Sequence, residues 1–305
     1  GLFRLTALRK PGIQKGDHVA VMERTPGKKL TFREAQLGAF EVLRFIDKLC
    51  TEQQLTYFLM YGSLIGAIRD KGIIPWDDDI DVMMPRPDYD RLVRYCAGHE
   101  KEMAPFKLFE NSLVPQYPHP IARMSDMRYK IEFDNEKDYG IGLFVDIYPL
   151  DGVGSDMAAA QKLVHKSKRT ASLCFLTSRK GYGVDNTASR LKMAVKLPAY
   201  LWANLLGNRH YIQKQERQCR KNAYEASEYV ACVAQPWTER RGQNKNVYKK
   251  EWFSTIRVPF ETGEFPVPAE YDRILKMGYG DYMTPLPEDQ RGTHHTYDTY
   301  RLDEQ

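Results

Sequence analysis

The sequence predicts an α+β fold: a mixed sheet core flanked by helices, with a helical insertion and an irregular C-terminal tail. Three observations support this prediction. Short apolar segments with strand character recur before Asp151, a helical period dominates from Ser155 to about Glu228, and prolines and aromatic residues interrupt the pattern after Tyr229. With 305 residues, 42% of them hydrophobic, the chain is long enough to bury a full core.

These changes of pattern divide the chain into four regions. We predict a basic N-terminal arm over residues 1–30, which is rich in Gly and Pro, and a core over residues 31–154. A helical insertion is predicted over residues 155–228. Residues 229–305 are predicted to form a C-terminal part that packs on the core.

The core is predicted to begin with a helix and a strand. Thr31 and Glu34 form a capping-box pattern, and apolar residues recur at helical spacing from there to about Cys50. The segment Thr56–Tyr61 is aromatic and apolar, which indicates a strand, and a turn and a short helical pattern follow it.

The remaining elements follow from similar signals. The sequence IDVMMP predicts a strand, and the prolines that follow it should stop it before a helix from Asp88 to about Cys96. Four more candidate strands precede Asp151, and their short spacing predicts mostly antiparallel pairing; their sequences are PFKLFE, PIARMSD, YKIEFD and GLFVDIYPL. In the tail, one helix is predicted over Ala269–Met277.

Composition narrows the classes of function. The 45 basic and 40 acidic residues give a net charge of +5, a mild excess that does not indicate nucleic-acid binding. The five cysteines are widely spaced and lack any CxxC pattern, which favours a reducing cytoplasm. No apolar run approaches the roughly 20 residues that a membrane span needs.

The most unusual stretch has four aspartates within five residues, Asp77, Asp78, Asp79 and Asp81. Because side chains alternate between the faces of a strand, we expect Asp77, Asp79 and Asp81 on one face and the apolar residues that alternate with them on the other. Like charges this close raise one another's pKa unless a cation neutralises them. A hard divalent cation such as Mg²⁺ would solve this problem with oxygen ligands.

A further carboxylate lies in the sequence GLFVDIYPLD. Asp146 is expected to share a strand face with Phe144 and Tyr148. An aspartate inside such an apolar strand is costly unless it is paired or bound to metal. Asp146 is therefore the best candidate for a third carboxylate that arrives from a neighbouring strand.

The acidic cluster has two simpler interpretations. An acidic run at the entrance of a strand can be a solvated turn. The second interpretation is a calcium-binding loop of the EF-hand type. However, Val82 stands where that loop requires Gly, and Asp88 stands where it requires a bidentate Glu.

Gly62 and Ser63 lie between a predicted strand and a predicted helix. Backbone N–H groups and a hydroxyl at such a junction can bind a phosphate. Many Gly-Ser pairs are ordinary turns, so the signal lies in the order strand, Gly-Ser, helix, and then an Asp-x-Asp strand.

That order resembles the nucleotidyltransferase fold, and the chain is similar to the LicD family over most of residues 35–300. The similar phrases are YGSLIGAIRDKGIIPWDDDIDV, FVDIYPLDG, VPFETGEFPVPAEYDRIL and YGDYMTPLPEDQR. The resemblance implies a nucleotidyltransferase-like catalytic core over residues 31–154. It also implies transfer of phosphocholine from CDP-choline, with release of CMP, to a sugar of a glycan precursor such as teichoic acid, lipooligosaccharide or capsule. Phosphoribitol or phosphoglycerol transfer is the alternative within this class.

The resemblance also implies roles for particular residues. Asp79 and Asp81 are expected to hold Mg²⁺ or Mn²⁺, with Asp146 as a third ligand, and all three are expected to be catalytic. Gly62 and Ser63 are expected at the phosphates of the donor.

Other residues are expected to complete the donor site. Arg69 and Arg123 would offset phosphate charge, and Asp77 or Asp146 would accept the proton of the sugar hydroxyl. Trp76 is the aromatic residue that we favour for holding the quaternary ammonium of choline.

His294 and His295 lie where the LicD family also tends to have histidines, and they are expected to contribute to the site.

The segment Ser189–His210 combines basic with apolar and aromatic residues. It is expected either to lie along a membrane surface or to form a buried helix that is kinked at Pro198. A lipid-linked oligosaccharide acceptor would give the membrane interpretation a purpose. We therefore expect a cytoplasmic protein with peripheral contact at the inner face of the membrane.

Two other functions stay open at this stage. One is a true nucleotidyltransferase, which would leave the nucleotide on its product. The other is a non-catalytic module that binds metal or nucleic acid, although the charge balance argues against a nucleic-acid partner.

Overall fold

A computed structural model describes residues 26–182, 190–237, 245–292 and 297–303. Most of the predicted N-terminal arm, residues 183–189 of the predicted insertion, and His294 and His295 lie outside these ranges. Within them the chain forms helices, one large sheet and two small sheets.

The first part of the chain alternates strands and helices. Its elements are β1 (Pro26–Lys29), α1 (Phe32–Glu52), β2 (Phe58–Leu59), α2 (Tyr61–Ile65), β3 (Asp81–Pro85), α3 (Arg86–Gly98), β4 (Phe106–Phe109), β5 (Ala122–Asp126), β6 (Tyr129–Phe133) and β7 (Leu143–Gly154). A π-helical turn over Gly66–Asp70 continues α2.

The second part begins with three helices and continues with strands. Its elements are α4 (Met157–Ser178), α5 (Arg190–Leu206), α6 (Asn208–Cys219), β8 (Tyr229–Ala231), β9 (Tyr248–Lys249), β10 (Thr255–Phe260), β11 (Gly263–Pro268), α7 (Tyr271–Tyr279) and β12 (Tyr297–Leu302). Two 3₁₀ turns cover Lys250–Phe253 and Glu288–Gln290.

The central sheet runs in the order β2-β3-β7-β5-β4, and β8 and β9 extend it from the far end of β7. Strands β3 and β7 are parallel, whereas β2-β3, β7-β5 and β5-β4 are antiparallel. The sheet is therefore mixed, and helices flank it, as the α+β prediction required. Among the described helices, none is long and apolar enough to cross a membrane.

Three details differ from the sequence-based expectations. The strand predicted for YKIEFD does form, but β6 pairs with β12 in a separate three-stranded sheet with β1. Strand β3 begins at Asp81, so Asp77 and Asp79 lie in the turn that precedes it and the alternation argument does not apply to them. The C-terminal part contributes strands β8 to β12, which the sequence did not predict.

The helices close the core around the sheet. Helix α1 begins at the capping box, in which Thr31 accepts a hydrogen bond from the Glu34 backbone and the Glu34 side chain accepts one from the Thr31 backbone. Its apolar side is buried with β3 and β7 in one core, which also contains Phe265 and Leu275 of the C-terminal part. All five cysteines are buried free thiols.

A buried ion pair joins α3 to the end of β7. The Nε atom of Arg86 donates to Oδ1 of Asp151 at 2.6 Å, and the Asp151 side chain is fully buried. Oδ2 of Asp151 also accepts a hydrogen bond from the Val233 backbone. Burial raises the pKa of Asp151 to about 6, although Arg86 opposes this shift. The free energy needed to remove the two charges from water therefore offsets much of the free energy gained from their attraction.

We expect Asp151→Ala to lower the free energy of unfolding by about 3–5 kcal/mol, because it leaves the Arg86 guanidinium buried without its partner. Urea denaturation measures this value. The double variant Arg86→Met with Asp151→Leu should recover most of the loss. As a control, Arg44→Ala breaks the exposed pair with Glu41 and should cost under about 1 kcal/mol. If Asp151→Ala and Arg44→Ala lowered the free energy of unfolding equally, the structural role assigned to the Arg86–Asp151 pair would be contradicted.

Candidate metal and donor site

Adjacent parallel strands bring two buried aspartates together. Asp81 opens β3 and pairs in register with Asp146 of β7. Their exposed fractions are 7% and 4%. A carboxylate oxygen of each lies within 4.8 Å of the other and of one from Asp79. The three carboxylates that the sequence proposed as metal ligands therefore converge on one point.

The turn before β3 adds more acidic groups to this point. Oxygens of Asp77, Asp78 and Asp79 also lie within 4.8 Å of one another, and all three residues are half-buried. Asp79 belongs to both groups, so it joins the turn to the sheet. Asp78 was not among the sequence-based site residues, although its place in the acidic run was a signal for it.

The electrostatics of this cluster favour a bound cation. Burial raises the pKa of Asp81 well above its usual range, and the charges of Asp79, Asp146 and Asp77 raise it further, while a hydrogen bond from Tyr148 opposes them. Oδ1 of Asp81 is buried and has no hydrogen-bond partner among the described residues. A hard divalent cation would supply the missing partner, and an all-oxygen donor set fits Mg²⁺ or Mn²⁺.

The Gly-Ser pair supports the cluster from α2. The backbone N–H of Asp81 donates to Oγ of the buried Ser63 at 2.9 Å, which fixes the start of β3. A Cβ atom at Gly62 would lie 2.3 Å from Oδ2 of Asp77, so any larger residue here would displace this carboxylate. The pair thus positions two of the aspartates. Its role toward donor phosphates stays a prediction.

Arg123 on β5 orients Asp146. It pairs in register with Asp146 across the sheet, and its Nε atom donates to Asp146 Oδ1 at 2.6 Å. Its Nη1 atom donates to the hydroxyl of Tyr139 at 2.6 Å, and its guanidinium lies 4.1 Å from the centroid of the Phe144 ring. With these contacts, Arg123 fixes the carboxylate as well as adding positive charge to the site.

A histidine and a glutamate extend this network, and sequence analysis missed both. His119 Nε2 lies 2.6 Å from Glu136 Oε1, and both side chains are nine-tenths buried. Burial and the charge of Arg123 lower the pKa of His119, although Glu136 opposes them. In the sequence, His119 lies only four residues before Arg123, but neither residue forms a pattern with Glu136.

A cavity of about 360 Å³ opens beside the carboxylates. Asp146, Arg123 and Tyr148 line its sheet side, and His119 and Glu136 lie at one end. Helix α4 contributes further lining residues, Lys168 among them, and Arg179 directly after the helix also lines the cavity. This size lies within the range of small-ligand sites.

Two sequence-based site residues make other contacts. Arg69 binds the carboxylate of Asp70, and its Nη1 atom donates to the carbonyl oxygen of Tyr282. The Trp76 ring lies 4.6 Å from the guanidinium of Arg291 and 5.9 Å from that of Arg69. A quaternary ammonium would meet these positive charges at Trp76, so the structure argues against Trp76 as the choline-binding residue.

Other aromatic rings do cluster next to Asp81. Tyr61 stacks on Trp237 with ring centroids 5.1 Å apart and meets Tyr148 edge-on at 5.2 Å. Tyr279 packs edge-on against Trp237 at 4.8 Å. We call these four residues the aromatic cluster. Tyr148, which hydrogen-bonds Asp81, connects it to the carboxylates. Tyr279 was not anticipated because it lies far away along the chain.

We expect Asp81→Asn to have opposite effects with and without metal. In metal-free protein it should raise the free energy of unfolding at pH 8 by about 1 kcal/mol or more, because it removes repulsion among buried carboxylates. It should also abolish the rise in melting temperature that Mn²⁺ gives the wild type, since binding stabilises the folded state. Thermal denaturation with EDTA or with Mn²⁺ measures both effects.

The matched control for this pair of measurements is Glu102→Gln, which alters an exposed carboxylate outside the cluster. It should change neither value. An Asp81→Asn protein that Mn²⁺ stabilises as much as the wild type would contradict the metal site.

Comparison with known proteins places this geometry in a family. Residues 54–180 match the family model described as "LicD/FKTN/FKRP, nucleotidyltransferase domain". The matched segment contains α2, β3 and β7, and therefore all the carboxylates described above.

Individual relatives agree with this match. The chain is 33% identical over 280 residues to the lipopolysaccharide cholinephosphotransferase LicD of Haemophilus influenzae, and the alignment covers 90% of this chain and 100% of that protein. It is also 34% identical over 65 residues to the uncharacterized protein RP689 of Rickettsia prowazekii, across 21% of this chain and 24% of that protein. The chain therefore belongs to the LicD family and is a transferase of the LicD type.

Proposed function

We propose that this protein transfers phosphocholine from CDP-choline to a sugar hydroxyl of a cell-surface glycan precursor and releases CMP. Teichoic acid, lipooligosaccharide and capsule precursors are the candidate acceptors. The observation that carries the proposal is the convergence of Asp79, Asp81 and Asp146 beside a cavity, with one buried oxygen of Asp81 that has no partner among the described residues. The named activity of the full-length relative from Haemophilus influenzae supports the choice of phosphocholine.

The reaction is a displacement at phosphorus. An oxygen of the sugar hydroxyl bonds to the phosphorus that bears choline, the bond from that phosphorus to the bridging oxygen breaks, and CMP leaves with the bond's electrons. When bound by Asp79, Asp81 and Asp146, Mg²⁺ or Mn²⁺ would neutralise negative charge on the pyrophosphate. The protein's own task is to hold the reacting groups in position.

The hydroxyl proton must pass to a base. Asp146 is buried and already accepts a hydrogen bond from Arg123, whereas Asp77 is half-buried and can exchange protons with water more easily. We propose Asp77 as the base. Arg123 would keep Asp146 in place through the reaction.

The choline headgroup would bind at the aromatic cluster. Aromatic faces attract quaternary ammonium groups, and nearby carboxylates add to this attraction. Tyr61 and Tyr148 are buried beside Asp81, and Trp237 and Tyr279 continue the cluster toward the surface, where Tyr279 is 41% exposed. The rings reach from the carboxylates to solvent, which suits a small alcohol attached to a phosphate.

Helix α5 would hold the protein at the membrane surface. Leu201, Trp202 and Leu205 are 59%, 64% and 77% exposed, so the buried-helix alternative does not fit the described part of α5. Between Asp185 and Glu216 the sequence has five Lys or Arg residues and no acidic residue. Apolar side chains among positive charges complement an anionic lipid surface, which we propose as the partner of this face.

This contact would lie at the inner face of the cell membrane. Five buried, unpaired thiols are compatible with the reducing cytoplasm in which CDP-alcohol donors would be met. A lipid-linked oligosaccharide acceptor would then reach the enzyme along the surface on which α5 rests.

A donor screen tests the reaction. With Mg²⁺ and a glycan acceptor, we expect CMP release from CDP-choline to exceed that from CDP-ribitol and CDP-glycerol, and EDTA to abolish it. Asp146→Asn should lower the rate by about 10³-fold or more, because it weakens metal binding. Glu102→Gln is again the control. A preference for CDP-ribitol or CDP-glycerol would show that the transferred alcohol is not choline. Pyrophosphate release from an NTP would support the nucleotidyltransferase alternative instead.

Vesicle binding tests the membrane contact. We expect the double variant Leu201→Glu with Leu205→Glu to reduce co-sedimentation with phosphatidylglycerol vesicles by at least about tenfold. It places negative charge on the side of α5 that would enter the lipid surface. The control, Met283→Glu with Leu286→Glu, alters apolar residues that are 51% and 46% exposed elsewhere, and it should bind normally. Undiminished binding of the α5 variant would overturn the proposal. So would a wild type that self-associates through this face and ignores vesicles.

A further inference from the structure

Helix α4, the first helix of the predicted insertion, forms one wall of the cavity beside Asp146. Counted from Lys168, the other wall residues lie three, four, seven and eleven positions further along the chain, which puts them on one face of the helix; they are Ala171, Ser172, Phe175 and, directly after the helix, Arg179. The insertion thus lines the same cavity as Asp146.

The end of this wall is attached to the core by backbone hydrogen bonds. The N–H of Lys137 donates to the carbonyl of Ser178, and the N–H of Lys180 donates to the carbonyl of Asn135. These two bonds bracket Arg179, whose backbone bridges to Glu136. The end of α4 is therefore fixed against the segment that connects β6 to β7.

Two cations on the wall have no acidic partner in the part of the chain that the structure describes. Within the described ranges, no acidic side chain lies at ion-pair distance from Lys168 or Arg179, whereas Arg86 and Arg123 are each bound to a buried aspartate. Both Lys168 and Arg179 are half-buried. The Arg179 guanidinium rests 4.0 Å from the centroid of the Phe175 ring, which holds it in place without neutralising it.

The rest of the cavity suits a flat ring attached to an anion. Phe133, Phe144 and Tyr297 contribute aromatic rings, and Asn135 and Gln235 contribute amides that can both donate and accept hydrogen bonds. A volume of about 360 Å³ accommodates a single nucleotide. Stacking on aromatic rings and hydrogen bonding to amides are general means of binding a base.

We propose that Lys168 and Arg179 bind the phosphate of the cytidine nucleotide, so that the helical insertion completes the donor site. This inference rests on the proposed function, because the nucleotide is the leaving group of that reaction. The two cations line the same cavity as Asp146. They would therefore stabilise the negative charge that CMP acquires as it leaves, while Arg123 stays committed to Asp146.

Calorimetric titration of the full chain with CMP in the presence of Mg²⁺ tests the inference. We expect Lys168→Gln and Arg179→Gln each to weaken CMP binding by about tenfold or more, since each loses a charge-assisted hydrogen bond. Lys168→Arg should keep most of the affinity. Lys166→Gln is the matched control, because it removes an exposed lysine from the opposite face of the same helix and should leave binding unchanged. Melting curves of each variant verify that the fold is intact.

Inorganic pyrophosphate, as a second probe, separates this inference from the proposed function. If Lys168→Gln binds CMP and pyrophosphate as the wild type does while CDP-choline is turned over, the α4 site is overturned and the function stands. If no CDP-alcohol is turned over but both variants lose pyrophosphate affinity, the anion site stands and the function is overturned. Equal losses in Lys166→Gln would overturn the assignment to this face.

Discussion

Repulsion between carboxylates inside a mixed sheet is the constraint on which the rest of this structure depends. The parallel pairing of β3 and β7 puts Asp81 opposite Asp146, where little water can reach either of them. Each neighbouring group offsets part of the resulting cost. Ser63 binds the backbone of Asp81, Arg123 binds the side chain of Asp146, and Tyr148 donates a hydrogen bond to Asp81. One oxygen of Asp81 is left without a partner among the described residues, and that oxygen is where a cation would act.

Arg123 connects this acidic centre to the rest of the cavity. It touches Asp146 on one side and Tyr139 on the other, and its Nη1 lies 3.9 Å from Glu136, which in turn contacts His119. Five buried polar groups thus share their charges and hydrogen bonds in one network. Such networks are stable only when their members are satisfied, so Arg123 is needed for the geometry of Asp146 as much as for its charge.

Local patterns in the sequence were sufficient to predict much of this fold and of its centre. The α+β class, helix α1 and the convergence of Asp81 and Asp146 follow from periodicity, because burial of one strand face leaves few positions for a carboxylate. The convergence of Asp77 and Asp79 was expected for the wrong reason, since a turn and not strand alternation brings them in. Local patterns could not predict contacts between distant segments. Arg291 contacts Trp76, and Tyr279 contacts Trp237, because the C-terminal part folds back on the core.

Strand β7 carries Asp146 and Asp151 an odd number of residues apart, so the two carboxylates leave it on opposite faces. Each has its own arginine, Arg123 on one face and Arg86 on the other. A shift of β7 by a single residue would move both carboxylates to the wrong face of the sheet. Each would then be buried among apolar side chains without its arginine. Two ion pairs, one on each face of the sheet, therefore fix the register of β7. They keep Asp146 in position even when loops at either end of the strand vary in length.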